Sequence, residues 1–160
     1  VYLGAFRREA INAVGGFDER YTRAQDWELN HRLRENGGKI YFDPRLQVTY
    51  RPRPNLKKLA KQYFQYGRWR RVVSRSHPGT VNLRYLAPPF TLLGTITSLL
   101  LGLFIDPFFF LPAAVYGIFL LISAISIAKS VREAISLLAI IPTMHFAWGA
   151  GFITSTKVFR

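Results

Sequence analysis

The sequence predicts an α/β segment over residues 1–84, followed by an α-helical transmembrane region of two to three spans over residues 85–160. Charge divides the chain at this boundary, because 18 of the 22 Lys and Arg residues precede it. Three long uncharged runs follow it, each near the roughly 20 apolar residues that cross a bilayer as a helix. Before it, short helical and strand-like patterns alternate.

The composition excludes several classes of protein. With 49% hydrophobic and 15% aromatic residues, the chain is not disordered overall. The absence of Cys excludes a disulfide framework, a Cys-ligated zinc site and a thiol nucleophile. The three His residues are too scattered along the sequence to form a metal-ligand set. The formal charge of +13 makes a nucleic-acid binder an alternative, but the apolar runs and the lack of a known binding motif argue against one.

Five elements account for the polar half. They are a helix at 7–14, a helix at 26–35, two short strands at 40–42 and 47–50, and a long helix at 55–75. Asp26 and Asn55 are the predicted N-caps of the second and third helices. Two short strands leave an open sheet edge, so we expect this half to be the end of a larger α/β domain whose sheet begins upstream. The long helix is basic and amphipathic, which favours a position on the membrane surface.

The three apolar runs predict spans at about residues 86–105, 108–128 and 134–156. The third run carries Pro142 and His145, so it either spans or lies partly at the interface. Basic residues favour the cytoplasmic side of a membrane. This places the Arg-rich segment before the first apolar run, and the link between the second and third runs, in the cytoplasm. A full third span would put Lys157 and Arg160 outside, against this bias. The sequence therefore predicts a multi-pass protein of the inner (plasma) membrane with a cytoplasmic polar half.

Two motifs resemble those of a known enzyme family. The first comprises Gly15-Gly16-Phe17-Asp18-Glu19, Gln25-Asp26-Trp27-Glu28-Leu29, Arg32-Leu33-Arg34 and Gly37-Gly38, and the second, some 40 residues on, is Gln65-Tyr66-Gly67-Arg68-Trp69. In this order and ahead of apolar spans, they resemble family 2 glycosyltransferases, above all the membrane-anchored polysaccharide-synthesis members of the succinoglycan type. One position departs from the family pattern, because Gln25 replaces a residue that is often Glu.

The resemblance implies a fold, a cofactor and a missing part. Family 2 enzymes are inverting transferases with the GT-A nucleotide-sugar fold, so the polar half would be the C-terminal half of a GT-A domain. The family binds its nucleotide and a divalent metal, Mg or Mn, through an upstream Asp-x-Asp motif, and this chain contains none. We therefore expect a C-terminal piece that binds no metal itself and is catalytically incomplete alone.

The resemblance also assigns a candidate general base. An inverting transfer needs a carboxylate that removes the proton of the attacking acceptor hydroxyl. Asp26 occupies the family position for this role, at the start of a helix where a carboxylate stays ionised. The alternative is that Asp26 only caps the helix. Glu28, two residues on, is interpreted as a residue that complements the helix dipole.

The second motif supplies candidate substrate-binding residues. Arg68 can bind the leaving nucleotide diphosphate in bidentate fashion, and Gln65 lies on the same helical face. Trp69 offers a flat surface for a sugar or the acceptor. The alternative is that Arg68 and Trp69 are anchors at the membrane interface.

These observations predict a membrane-bound glycosyltransferase. It would move a sugar, with inversion, from a nucleotide-sugar donor to a hydroxyl of a lipid-linked or polysaccharide acceptor, in contact with membrane lipids and without nucleic acid. The alternative function is that of a non-catalytic membrane scaffold or partner subunit. Binding of a nucleotide diphosphate would distinguish the two.

Overall fold

A computed structural model describes residues 4–156 of the chain. Within that range the helices are α1 (Arg8–Ala13), α2 (Gln25–Glu35), α3 (Leu56–Ser76), α4 (Leu83–Phe104), a short 3-10 helix (Pro107–Phe110), α5 (Leu111–Ile127) and α6 (Val131–Thr154). The chain forms two compact units. We call the residues up to Pro52 the N-terminal unit and those from Arg53 onward the C-terminal unit.

The predicted α/β fold is wrong, because the described part of the chain contains no strand and no sheet. Residues 40–42 and 47–50, the predicted strands, are irregular. Tyr41 and Phe42 are 84% and 82% exposed, so no second layer covers this segment. A strand needs a hydrogen-bonding neighbour and a covered apolar face, whereas residue propensity reports only on the side chains. Within the described residues, this segment has no neighbouring strand with which to form a sheet.

Glycine pairs end both helices of the N-terminal unit. At the end of α1, the N–H of Gly16 donates to the carbonyl of Ile11 (3.0 Å), and that of Gly15 donates to Asn12 (3.1 Å). Gly15 has a φ of +75°, which strongly favours glycine. These two bonds form a Schellman motif. The same pattern ends α2 at residues 37–38, so both glycine pairs act as the predicted helix stops.

The start of α2 differs from the prediction. The helix begins at Gln25, and the residue before it, Ala24, has a left-handed backbone with a φ of +60° and makes no side-chain cap. Asp26 is therefore inside the first turn and is not the N-cap. By contrast, the predicted cap of α3 is confirmed, since the Asn55 side chain accepts a hydrogen bond from the backbone N–H of Lys58 (2.9 Å).

Glycines bring the backbones of the C-terminal unit into contact. A Cβ atom on Gly67 of α3 would overlap the carbonyl oxygen of Trp148 on α6, and one on Gly151 of α6 would overlap that of Phe64. A Cβ on Gly149 would lie 2.6 Å from the carbonyl oxygen of Pro88 on α4. The last turns of α6 thus lie against both α3 and α4. Small residues permit this close packing, as in many membrane helix pairs.

The helices α4 and α5 form a hairpin around the 3-10 helix. The hydroxyl of Ser98 donates to the carbonyl of Phe109 (2.6 Å) and accepts from the N–H of Ala113 (3.0 Å). Three helical segments are long and apolar enough to cross a membrane: Leu83–Phe104, Pro107–Ile127 and Val131–Thr154. This confirms the prediction of transmembrane helices in the second half of the chain.

Candidate active-site segments

Arg32 ties the glycine turn after α1 to α2. Its Nη2 donates to the carbonyl of Gly16 (2.8 Å), and its Nη1 donates to that of Val14. These carbonyls belong to the Gly-Gly segment that opens the first motif. A single side chain of α2 therefore fixes the shape of this turn, in addition to the turn's predicted role as a helix stop.

A buried carboxylate balances the charge of Arg32. Glu28 is 1% exposed, and its two oxygens accept hydrogen bonds from Arg32 Nε (2.6 Å) and Nη2 (2.7 Å). The hydrogen bonds that Arg32 donates to Glu28 raise the pKa of Arg32, although burial opposes this rise. The interpretation of Glu28 as a helix-dipole residue missed this role. The signal was present as an acid and a base four residues apart on one helix.

Asp26 lies in the first turn of α2 and is half-buried. Its Oδ1 accepts a hydrogen bond from the backbone N–H of Trp27 (2.8 Å). Burial raises the pKa of Asp26, and the hydrogen bond from the backbone N–H of Trp27 to its carboxylate lowers it. The carboxylate is thus ionised at neutral pH. Beside it, the rings of Trp27 and His31 stack at 5.6 Å along the helix.

Two polar residues of the second motif share a half-buried face of α3. Gln65 and Arg68 are three positions apart, so they lie on the same side of the helix. Neither side chain has a hydrogen bond, ion pair or ring contact with another residue in the described part of the chain. Both therefore have their donors available for a ligand.

Trp69 differs from its two neighbours because it is 5% exposed. Little of its ring is therefore left on which a sugar could stack. Asp26 belongs to the N-terminal unit, whereas Gln65, Arg68 and Trp69 belong to the C-terminal unit.

The other arginines of the same helix contact aromatic rings or a backbone carbonyl. The guanidinium of Arg70 lies 4.4 Å from the ring centroid of Tyr85, and that of Arg71 lies 5.0 Å from the ring centroid of Phe152. Arg75 donates to the carbonyl of Ser155 (2.7 Å). These contacts distinguish them from Arg68.

The described residues do not fit a divalent metal. Over residues 4–156, no three side chains of His, Asp, Glu or Cys come together as a ligand set. The carboxylate of Glu28 is already engaged by Arg32. We therefore derive no step of the reaction through a metal held by these residues.

Comparison with known proteins decides the family. The model of glycosyl transferase family 21 matches residues 4–157, which is nearly the whole chain. The chain belongs to glycosyl transferase family 21. The family 21 match agrees with the predicted relationship to family 2-type transferases, and the resemblance to glycosyltransferases of polysaccharide synthesis is confirmed.

Two curated relatives are similar to parts of this family member. The succinoglycan biosynthesis protein ExoA of Rhizobium meliloti (strain 1021) is 32% identical over 96% of the chain and 47% of its own length. The dolichyl N-acetyl-alpha-D-glucosaminyl phosphate 3-beta-D-2,3-diacetamido-2,3-dideoxy-beta-D-glucuronosyltransferase of Methanococcus voltae is 32% identical over 56% of the chain and 27% of its length. The chain thus spans about half the length of the first relative and less of the second. No solved structure matches it significantly.

Proposed function

We propose that the protein to which this chain belongs is a membrane-anchored, inverting glycosyltransferase that uses a nucleotide-sugar donor. The observation that carries this proposal is the pair of unpartnered, half-buried polar side chains, Gln65 and Arg68, in a member of family 21. A guanidinium with available N–H groups matches the oxygens of a diphosphate leaving group and would stabilise the charge that grows on it.

Asp26 is the proposed general base. It would accept the proton of the acceptor hydroxyl as that oxygen attacks the anomeric carbon, while the bond to the nucleotide diphosphate breaks on the opposite side. The hydrogen bond from the backbone N–H of Trp27 favours the ionised carboxylate, which is the form that can accept a proton. The clamp of Arg32 on the glycine turn gives α2, which carries Asp26, a fixed neighbour. We assign Trp69 a positioning role, since packing of its ring orients the turn that carries Arg68.

The proposed acceptor is a lipid-linked or growing polysaccharide at the membrane. The printed names of the two relatives refer to succinoglycan and to a dolichyl phosphate-linked sugar, which supports acceptors of this kind. Residues 1–84 would belong to the catalytic part, on the cytoplasmic face of the inner membrane, and residues 85–160 would anchor it. The concentration of Arg and Lys in the first 84 residues supports this orientation. Any Mg or Mn required for donor binding would be held by residues of the full protein beyond those described.

Binding of a nucleoside diphosphate to the full-length protein tests the proposal. We expect Arg68→Gln to weaken this binding by about 10- to 100-fold, the loss typical of a charge-assisted hydrogen bond. Lys61→Gln is the matched control, because Lys61 is an exposed base on the same helix, and it should bind as the parent does. Equal affinity of Arg68→Gln and the parent would rule out the phosphate role of Arg68. No binding by the parent protein would reject the transferase proposal itself.

A further inference from the structure

A groove opens between α4 and α5 in the C-terminal unit. Its volume of about 680 Å³ lies within the size range of ligand pockets, about 300–1,000 Å³. Its lining is mostly apolar. One polar pair lines it, in which Tyr116 Oη and His145 Nδ1 are hydrogen-bonded at 3.0 Å. Both helices that form the walls are candidate membrane spans. The groove therefore lies among segments that would be surrounded by lipid.

Arg84 extends the α4 wall of the groove toward the start of the helix. Pro88, Thr91 and Thr95 line the groove, and together with Arg84 they recur at steps of four, three and four residues. This spacing places all four on one stripe of the helix, about 16 Å long at 1.5 Å per residue. An exposed positive charge thus lies one turn beyond the apolar groove, on the same face.

A second arginine reaches the same place from α3. The guanidinium of Arg70 lies 4.4 Å from the centroid of the Tyr85 ring, and that of Arg84 lies 5.0 Å from it. Arg84 Nη2 also donates to Tyr85 Oη (3.0 Å). Both cations therefore contact the same ring, which lies three residues before Pro88, a residue that lines the groove. Such a pair complements a phosphate group.

We propose that the groove holds the hydrocarbon chain of a lipid-linked acceptor, with its phosphate beside Arg84 and Arg70. The apolar lining fits the chain, and the paired guanidinium groups fit the charge. An acceptor is favoured over a bulk phospholipid because the proposed reaction requires a lipid-linked or polysaccharide hydroxyl at the membrane. This assignment rests on the proposed function, since it names the acceptor of the same enzyme.

The test is photocrosslinking of a long-chain alkyl phosphate to the full-length protein in phosphatidylcholine nanodiscs. Gly94 lines the groove, and a Cβ placed on it meets no atom within 4 Å, so Gly94→Leu fills the groove without a backbone clash. Gly117 is equally open but does not line it, so Gly117→Leu is the matched control. Arg84→Gln removes the head-group charge, and Arg132→Gln is the control at another exposed arginine.

We expect Gly94→Leu and Arg84→Gln each to reduce crosslinking about tenfold or more, and the two controls to retain it. Equal labelling of all four variants would overturn the groove assignment. Competition by phosphatidylglycerol as strong as by the unlabelled alkyl phosphate would overturn the choice of an acceptor over a bilayer lipid. Nucleoside diphosphate binding is measured on the same samples. If nucleoside diphosphate still binds but crosslinking is the same in all four variants, only the groove assignment is rejected. If nucleoside diphosphate binds in no sample, the transferase proposal is rejected.

A second inference concerns α6 and comes from different contacts. The ring of Trp148 stacks on that of Tyr85 at 6.5 Å, and Gly149 packs against the carbonyl of Pro88. Arg75, at the end of α3, donates to the carbonyl of Ser155. The last turns of α6 therefore lie beside the first turns of α4.

This position conflicts with three complete crossings. Suppose that α4 crosses the bilayer outward and α5 crosses back. If α6 also crossed, its last residues and the first residues of α4 would lie on opposite sides, separated by the hydrocarbon core of about 30 Å. We infer that α6 does not cross completely and that it ends on the side from which α4 enters. Pro142 within α6 allows the helix to bend. This topology also removes the conflict of Lys157 and Arg160 with the bias of basic residues toward the cytoplasm.

The chain contains no Cys, which suits single-cysteine labelling with a membrane-impermeant maleimide. Exposed sites exist before α4, in the link between α4 and α5, and after α6, so the variants are Val81→Cys, Phe108→Cys and Thr156→Cys. We expect Thr156→Cys and Val81→Cys to be labelled in the same preparation, either intact cells or inverted vesicles. Phe108→Cys should be labelled in the other preparation. Labelling of Thr156→Cys together with Phe108→Cys would show that α6 crosses.

Discussion

The two units of the chain stabilise their helices in different ways. In the N-terminal unit, Arg32 ties the glycine turn to α2, and buried Glu28 neutralises its charge. In the C-terminal unit, α3, α4 and α6 meet at glycines, with backbone against backbone. Hydrogen bonds and an ion pair made by one arginine stabilise the N-terminal unit, whereas close packing at glycines stabilises the C-terminal unit.

The difference follows from what each unit can bury. The helices α1 and α2 have six and eleven residues, so they cover little apolar surface, and charge-assisted hydrogen bonds add stability where packing is thin. Helices in lipid gain little from hiding apolar side chains from water, so close approach of their backbones matters more. Four substitutions sharpen this comparison.

The largest effect is expected on chemistry in the N-terminal unit. Asp26→Asn in the full-length enzyme should lower turnover by about 10²- to 10⁴-fold, because the amide cannot accept the acceptor's proton. Folding and nucleoside diphosphate binding should be kept. Asp18→Asn is the control acid, and near-normal turnover of Asp26→Asn would remove the base assignment.

Arg32→Ala should be the most destabilising of the three structural changes. It leaves the buried Glu28 without its cation and two carbonyls of the turn without their donor, at a cost of about 3 kcal/mol or more. Hydrogen exchange of residues 8–35 in the full protein would report faster opening. Arg34→Ala, an exposed arginine on the same helix, should exchange as the parent does. Unchanged protection in Arg32→Ala would mean that the clamp contributes nothing.

Gly67→Ala tests the close approach in the C-terminal unit. Its Cβ would overlap the carbonyl of Trp148, so α3 and α6 must move apart, at a cost of about 2–3 kcal/mol. The midpoint of thermal unfolding in detergent should fall. Gly117→Ala, where a Cβ meets no atom within 4 Å, should be neutral or slightly stabilising. Equal midpoints for both variants would contradict the contact between α3 and α6.

The smallest effect is expected at the start of α3. Asn55→Ala removes the acceptor for the N–H of Lys58 and should cost about 1 kcal/mol. Asn55→Asp keeps a side-chain oxygen at the cap and should retain parent stability. Thermal unfolding of the three proteins measures the difference. Loss of stability in both variants would show that Asn55 acts through something other than its cap.

Much of the helical structure could be predicted from local signals. The glycine pairs that end α1 and α2, the Asn55 cap and the uncharged runs each depend on residues within a few positions of one another. The strands at 40–42 and 47–50 could not be predicted in this way, because a strand depends on a distant partner that propensity does not report. The pair of Arg32 and Glu28 was visible as a spacing, but its burial was not.

By itself, the sequence determined the family, the division into a basic and an apolar half, and the residues of both motifs, because each is a property of residue identity and order. Only the tertiary structure decided which arginines of α3 contact rings or carbonyls and that, among the residues described, Arg68 does not. It also decided that Trp69 is covered and that the end of α6 lies beside the start of α4. These properties depend on which surfaces meet. Contacts between residues 60 to 80 positions apart, such as Arg75 with Ser155, leave no periodic trace in the chain.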